Sequence, residues 1–248
     1  MKLYRIIFSP ADIDSMPEKY RKLLLFLCAG ISELNVLSKV FRFSPSSSPE
    51  GHLEEVASLA QGMLLGQIYT GKVFEFWKSF QVLYFASSVS SEYISVISSA
   101  SQDSLKELKS YFGRTNLIEK VRNNHAFHHS PEKVEAVRLR FPQDERFSLY
   151  VSDSLANSVF EFADLLYIHA TMETINPGDP EGVYKSLIEE TASVTAHLNR
   201  VVSELIATLL KEHLPESLSD LASKQLEINA IKESDVQSLP FFIELDEH

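Results

Sequence analysis

Residues 122–129, "RNNHAFHH", gather one arginine, two asparagines and three of the chain's 8 histidines into a single run. On an α-helix Arg122 and His125 are three apart, as are His125 and His128, so each pair shares a side. Arg122 and His129 are seven apart, two turns along the same side. A guanidinium beside an imidazole, whose ordinary pKa is about 6.5, suits work on a phosphodiester. Metal-free RNA cleavage uses the neighbouring 2′-hydroxyl as nucleophile. The protein then supplies only proton transfer and a cation for the charge on five-coordinate phosphorus. Histidine serves the first need, a contribution of about 10²–10⁴-fold. Arginine serves the second with a planar fork matched to phosphate oxygens. Asn123 can orient either group. The competing structural role is a helix C-terminus, where cations complement the dipole and amides satisfy orphan carbonyls.

Other chemistries find less support. His125 and His129 have the i, i+4 spacing of a metal pair, but Cys28 and Asp164 are distant in sequence and no third ligand is near. We expect no metal and no cofactor, since no glycine-rich nucleotide loop, serine elbow or zinc-type Cys/His spacing occurs. Phe74, Phe76, Trp77 and Phe80 stack bases only if exposed; their helical spacing points to core. His169 and His197 fall in amphipathic helices and are expected to be packing residues. Glu33 and Asn35 interrupt an apolar helix and mark its surface face; Glu33 is also a candidate to orient Arg122.

The elements that position the run are mainly helical. "LYRIIF" at 3–8 is a short strand or extended lead-in. A helix starts near Pro17, with Leu23, Leu27, Ile31, Leu34, Leu37 and Phe41 forming one stripe. The loop 42–51 leads to a second helix from about Pro49 into "FASSVSS", with a bend expected near Gly62, Gly66 or Gly71. Ser101 or Asp103 is expected to cap the helix ending at Gly113, and Thr115 the one carrying "NLIEKVRNNHAFH". Ser130-Pro131 ends that helix and starts the next. "RFSLYVSDS" at 146–154 reads as a hairpin arm or extended link, followed by helices at about 153–175 and 183–214. The fold class is all-α: an antiparallel helical bundle with a short accessory β arm. One domain is expected over 1–214, with an acidic tail at 215–248.

Composition agrees with a globular chain: 248 residues, 44% hydrophobic and 23% charged. The formal charge of −11 argues against a broad nucleic-acid-coating surface. Residues 114–140 nevertheless carry six basic and three acidic residues, whereas 211–248 carry three lysines and nine acids. A locally basic segment in an acidic protein fits a compact anion site. The longest apolar run, "LLLFLCAGI", is shorter than the roughly 20 residues that cross a bilayer, so no membrane partner is expected. The single cysteine, Cys28, looks like a small core residue, and a cytoplasmic location is expected.

"RNNHAFH" resembles the Arg-x(4–6)-His signature of HEPN domains, in which a polar residue often follows the arginine. Five residues separate Arg122 from His128 and six separate it from His129, so either histidine satisfies the spacing. The helical layout over about 17–175 is similar too. The resemblance implies a metal-independent endoribonuclease that works as a homodimer. It puts Arg122 on the phosphate, His128 in proton transfer and Asn123 in orientation, with His129 as alternative. In-line displacement wants a base and an acid on opposite sides of phosphorus, and a two-fold axis supplies the second histidine. Many such proteins serve toxin–antitoxin, abortive-infection or RNA-processing systems, so RNA and an antitoxin or other protein are expected partners. Others have lost catalysis. The alternative is a non-catalytic helical protein of this kind that binds RNA, a nucleotide or a partner protein.

Overall fold

A computed structural model of the chain describes residues 1–44, 49–123, 131–153, 157–176, 180–218 and 225–243. The protein is all-α, with helices α1 (Pro10–Ser15), α2 (Glu18–Arg42), α3 (His52–Phe80), α4 (Val89–Tyr93), α5 (Ser99–Phe112), α6 (Leu117–Val121), α7 (Pro131–Arg138), α8 (Glu161–Ile175) and α9 (Pro180–His213). Two short strands, β1 (Lys2–Tyr4) and β2 (Gln225–Glu227), pair antiparallel, with Leu3 opposite Leu226.

The chain forms two compact units, each assembled from separated segments. The first takes Met1–Asn35, Glu75–Arg114 and Ser193–Val236; the second takes Val36–Phe74, Thr115–Ala192 and Gln237–His248. In the first unit α9 buries Val194, Leu198, Val201 and Leu205 at the i, i+4, i+7, i+11 spacing of one helix face. Trp77, Phe80 and Tyr84 are buried in the same unit, where the Trp77 ring stacks on Phe112 at 4.9 Å. Phe74, Phe76, Trp77 and Phe80 are thus core residues, not a base-stacking surface. In the second unit Leu117, Val121, Ile175, Val183 and Leu187 form one cluster. Val137, Leu166 and Ala170 form another, where α7 packs on α8.

Several helix ends differ from the sequence expectation. Ser9 opens α1 with a reciprocal capping box to Asp12, a helix the apolar pattern does not announce because it buries nothing. Ser98, not Ser101 or Asp103, caps α5 by accepting from the Ser101 N–H. Asn116, not Thr115, caps α6; its Oδ1 accepts from the Glu119 N–H at 2.8 Å. The start of α8 lies at Glu161, not near 153. Upstream, the Tyr150 and Val159 backbones exchange hydrogen bonds at 2.9 and 2.8 Å, and that bridge holds Val159 out of the helix. This bridge is what the expected arm amounts to among the described residues.

Helix α3 runs unbroken through Gly62, Gly66 and Gly71; the ladder widens into a π turn only at Gln81–Phe85. Gly66 has a packing reason: a Cβ there would come 2.9 Å from the Phe41 ring. Cys28 is exposed, not a core residue. Helix α2 is long and apolar enough to cross a membrane, with a mean hydropathy of 1.7 over its best window. Its polar residues are dispersed, so an unbroken apolar run understates it. Leu23, Leu24, Leu27 and Leu34 on the same helix are buried within the protein.

Candidate functional site

Arg122 stands at the end of α6, a short helix fixed by its cap and by burial of Leu117, Ile118 and Val121. Lys120 reaches across to the Ile175 carbonyl at 3.4 Å, which ties α6 to the end of α8. The Arg122 backbone N–H donates to the carbonyls of Ile118 and Glu119, so its Cα is held by the helix. Its side chain is half-buried, with the guanidinium carbon 5.6 Å from the centre of the Phe74 ring. That is within the reach of a cation–π contact. Nη1 donates to Asn123 Oδ1 at 3.1 Å, and Asn123 is exposed.

The structure therefore brings two of the expected residues together, Arg122 and Asn123. His125, His128 and His129 lie outside the described residues, as does Ser130. Glu33 is exposed on the part of α2 that belongs to the first unit. The positive charge around the run is partly spent on internal pairs. Arg138 is held by Glu135 at 2.6 and 2.7 Å, and Arg140 pairs with Glu173. Among the described residues no group of three His, Cys, Asp or Glu side chains is placed to hold a metal.

His169 and His197 take the packing roles expected of them. The His169 ring meets Phe141 edge-on at 5.5 Å, and His197 Nδ1 lies 3.1 Å from Ser104 Oγ.

Two polar constellations have no sequence signature. In the first unit the Tyr20 hydroxyl donates to Glu92, and Lys19 Nζ lies 2.5 Å from the same carboxylate. Bonds from Lys19 and Tyr20 hold the Glu92 carboxyl down at about 2. Tyr93 donates to Glu212 Oε2 at 2.6 Å and lies 3.2 Å from His213 Nε2, while the His213 ring stacks on Tyr20 at 4.5 Å. Burial, then the Glu212 bond, raises the Tyr93 hydroxyl, so it keeps its proton and acts as a tie, not a base. In the second unit His52 Nε2 sits 2.7 Å from Glu161 Oε1. Their partners are far apart along the chain, beyond any short motif.

Comparison with protein-family models, curated proteins and solved structures yields no match for this chain.

Proposed function

We propose that the protein is a HEPN-like, metal-independent endoribonuclease of toxin or abortive-infection type, built on a helical bundle and working as a homodimer. One observation carries the reading: the Arg122 guanidinium is braced on Phe74 and bonded to Asn123 just ahead of the histidine-bearing run. A cation already ordered loses less freedom when it binds phosphate. On this reading Arg122 stabilises charge on phosphorus and His128 moves the proton. Asn123 orients the guanidinium, and His129 or His125 takes the supporting place. RNA is the substrate, and a two-fold axis brings the second motif to the opposite face of the phosphate.

The test is incubation of the purified protein with mixed RNA in EDTA. Fragments ending in 2′,3′-cyclic phosphate are expected from wild type and absent from His128→Ala at unchanged helical circular dichroism. Equal behaviour of the two proteins overturns the catalytic assignment. RNA retained on a filter by wild type without cleavage would instead support a non-catalytic RNA-binding protein.

A further inference from the structure

Parts of α3, α7 and α8 within the second unit line a cavity of about 600 Å³. That lies inside the roughly 300–1,000 Å³ typical of small-molecule sites. Its walls include Met63 and Leu64 of α3, Phe160 just ahead of α8, and Ile168 of α8. Leu64 and Phe160 remain 56% and 41% exposed, so the described side chains leave this apolar wall open. The polar lining is mostly committed elsewhere. Gln67 donates to Thr171 Oγ1 at 3.3 Å, and Thr171 in turn donates to the Tyr167 carbonyl at 2.9 Å. Gln61 donates to the carbonyls of Ser44 and Leu239.

Asp164 differs. Its carboxylate is a half-buried part of the lining, and it has no side-chain hydrogen bond or ion pair among the described residues. Burial pushes its carboxyl above the ordinary value, and no cation among the described residues, Lys133 of the same lining included, offsets it. A carboxylate in apolar surroundings is costly unless something pairs with it. A ligand bringing its own cation would remove that cost while covering the exposed wall.

We propose that this cavity binds a hydrophobic amine, its apolar body against Met63, Leu64, Phe160 and Ile168 and its protonated nitrogen on the Asp164 carboxylate. The site does not involve Arg122 and stands independently of the nuclease reading.

The experiment uses the full chain and N-phenyl-1-naphthylamine, neutral at pH 7, whose fluorescence rises in apolar sites. Dodecylamine, dodecanoate and 1-dodecanol then compete below their micellar concentrations. Dodecylamine is expected to displace the probe at concentrations about tenfold or more below the other two, the size of one charge-assisted bond. Asp164→Asn should keep probe binding and lose that preference. Ala163→Trp, which fills the cavity, should lose the probe signal at unchanged circular dichroism. The proposal fails if wild type does not bind the probe or if the three competitors are equivalent. It also fails if dodecanoate wins, if Asp164→Asn keeps the preference, or if folded Ala163→Trp still binds the probe.

Discussion

The Arg122 guanidinium lies over the Phe74 ring, its carbon 5.6 Å from the ring centre, within cation–π range before any ligand arrives. Lysine keeps the charge but loses both the flat face and the fork. On the nuclease reading, Arg122→Lys should lower the single-turnover cleavage rate by about 10²-fold while RNA affinity falls far less. A cleavage rate within about threefold of wild type would remove Arg122 from the transition state. Phe74→Leu should give an intermediate loss, by freeing the guanidinium without removing it.

His52 meets a buried carboxyl group. Glu161 is 6% exposed, its Oε1 meets His52 Nε2 at 2.7 Å, and its Oε2 has no partner among the described residues. His52→Ala leaves that carboxylate without its ring contact. Since His52 itself is 65% exposed, water can enter in its place, and the expected loss is about 1 kcal/mol, near the low end for an orphaned polar group. Urea denaturation measures this, and an unchanged midpoint would mean the contact contributes nothing.

Tyr84 is fully buried in the first unit, and its hydroxyl has no partner among the described residues. Tyr84→Phe removes a desolvated donor at almost constant volume, so it should raise stability by about 1 kcal/mol. Burial raises the Tyr84 hydroxyl to about 12, above an ordinary value of 10.0. The unfolded chain therefore gives up this proton first. Wild-type stability is therefore untouched by this group below about pH 10 and falls as pH climbs through about 12, so the advantage of phenylalanine grows over that range. Melting temperatures of the two proteins across that range should diverge, with the phenylalanine variant losing less.

Gly30 sits where a Cβ would come 2.5 Å from two atoms of the Phe76 ring. Alanine there gains about 1 kcal/mol of helix propensity. Against that, the Phe76 ring is stacked with Phe26 at 4.8 Å and Phe80 at 6.3 Å, which leaves it little room to turn. Overpacking costs about 1–3 kcal/mol, so Gly30→Ala should be destabilising despite the better propensity. A higher melting temperature for Gly30→Ala would show that the ring yields.

What the sequence makes legible is local. The apolar stripe of α2, Pro131 at the start of α7 and Gly113 at the end of α5 all stand where periodicity and end signals put them. Residues 157–160 do not, because the partner that holds Val159 extended is Tyr150, and pairing of that kind leaves no periodic mark. Thr115 and Asn116 are both competent caps, and only the burial of Leu117 and Ile118 decides between them. The same limit applies to the candidate site. Arg122 and Asn123 are neighbours and can be found by reading, whereas Phe74 comes from another helix. Asp164 reads as an ordinary polar position on α8, since the apolar surroundings that make it costly come from separate segments of the chain.

The pairing of Lys2 with Glu227 and of Tyr4 with Gln225 also sets a timetable. At about 5–20 residues per second of synthesis, β1 waits roughly 10–40 s beyond the ribosome before its partner strand emerges. Neither compact unit can be completed before a segment beyond residue 190 has been made. The first unit's N-terminal end therefore stays incomplete until late in synthesis, since His213, whose ring stacks on Tyr20, is made about 190 residues after it.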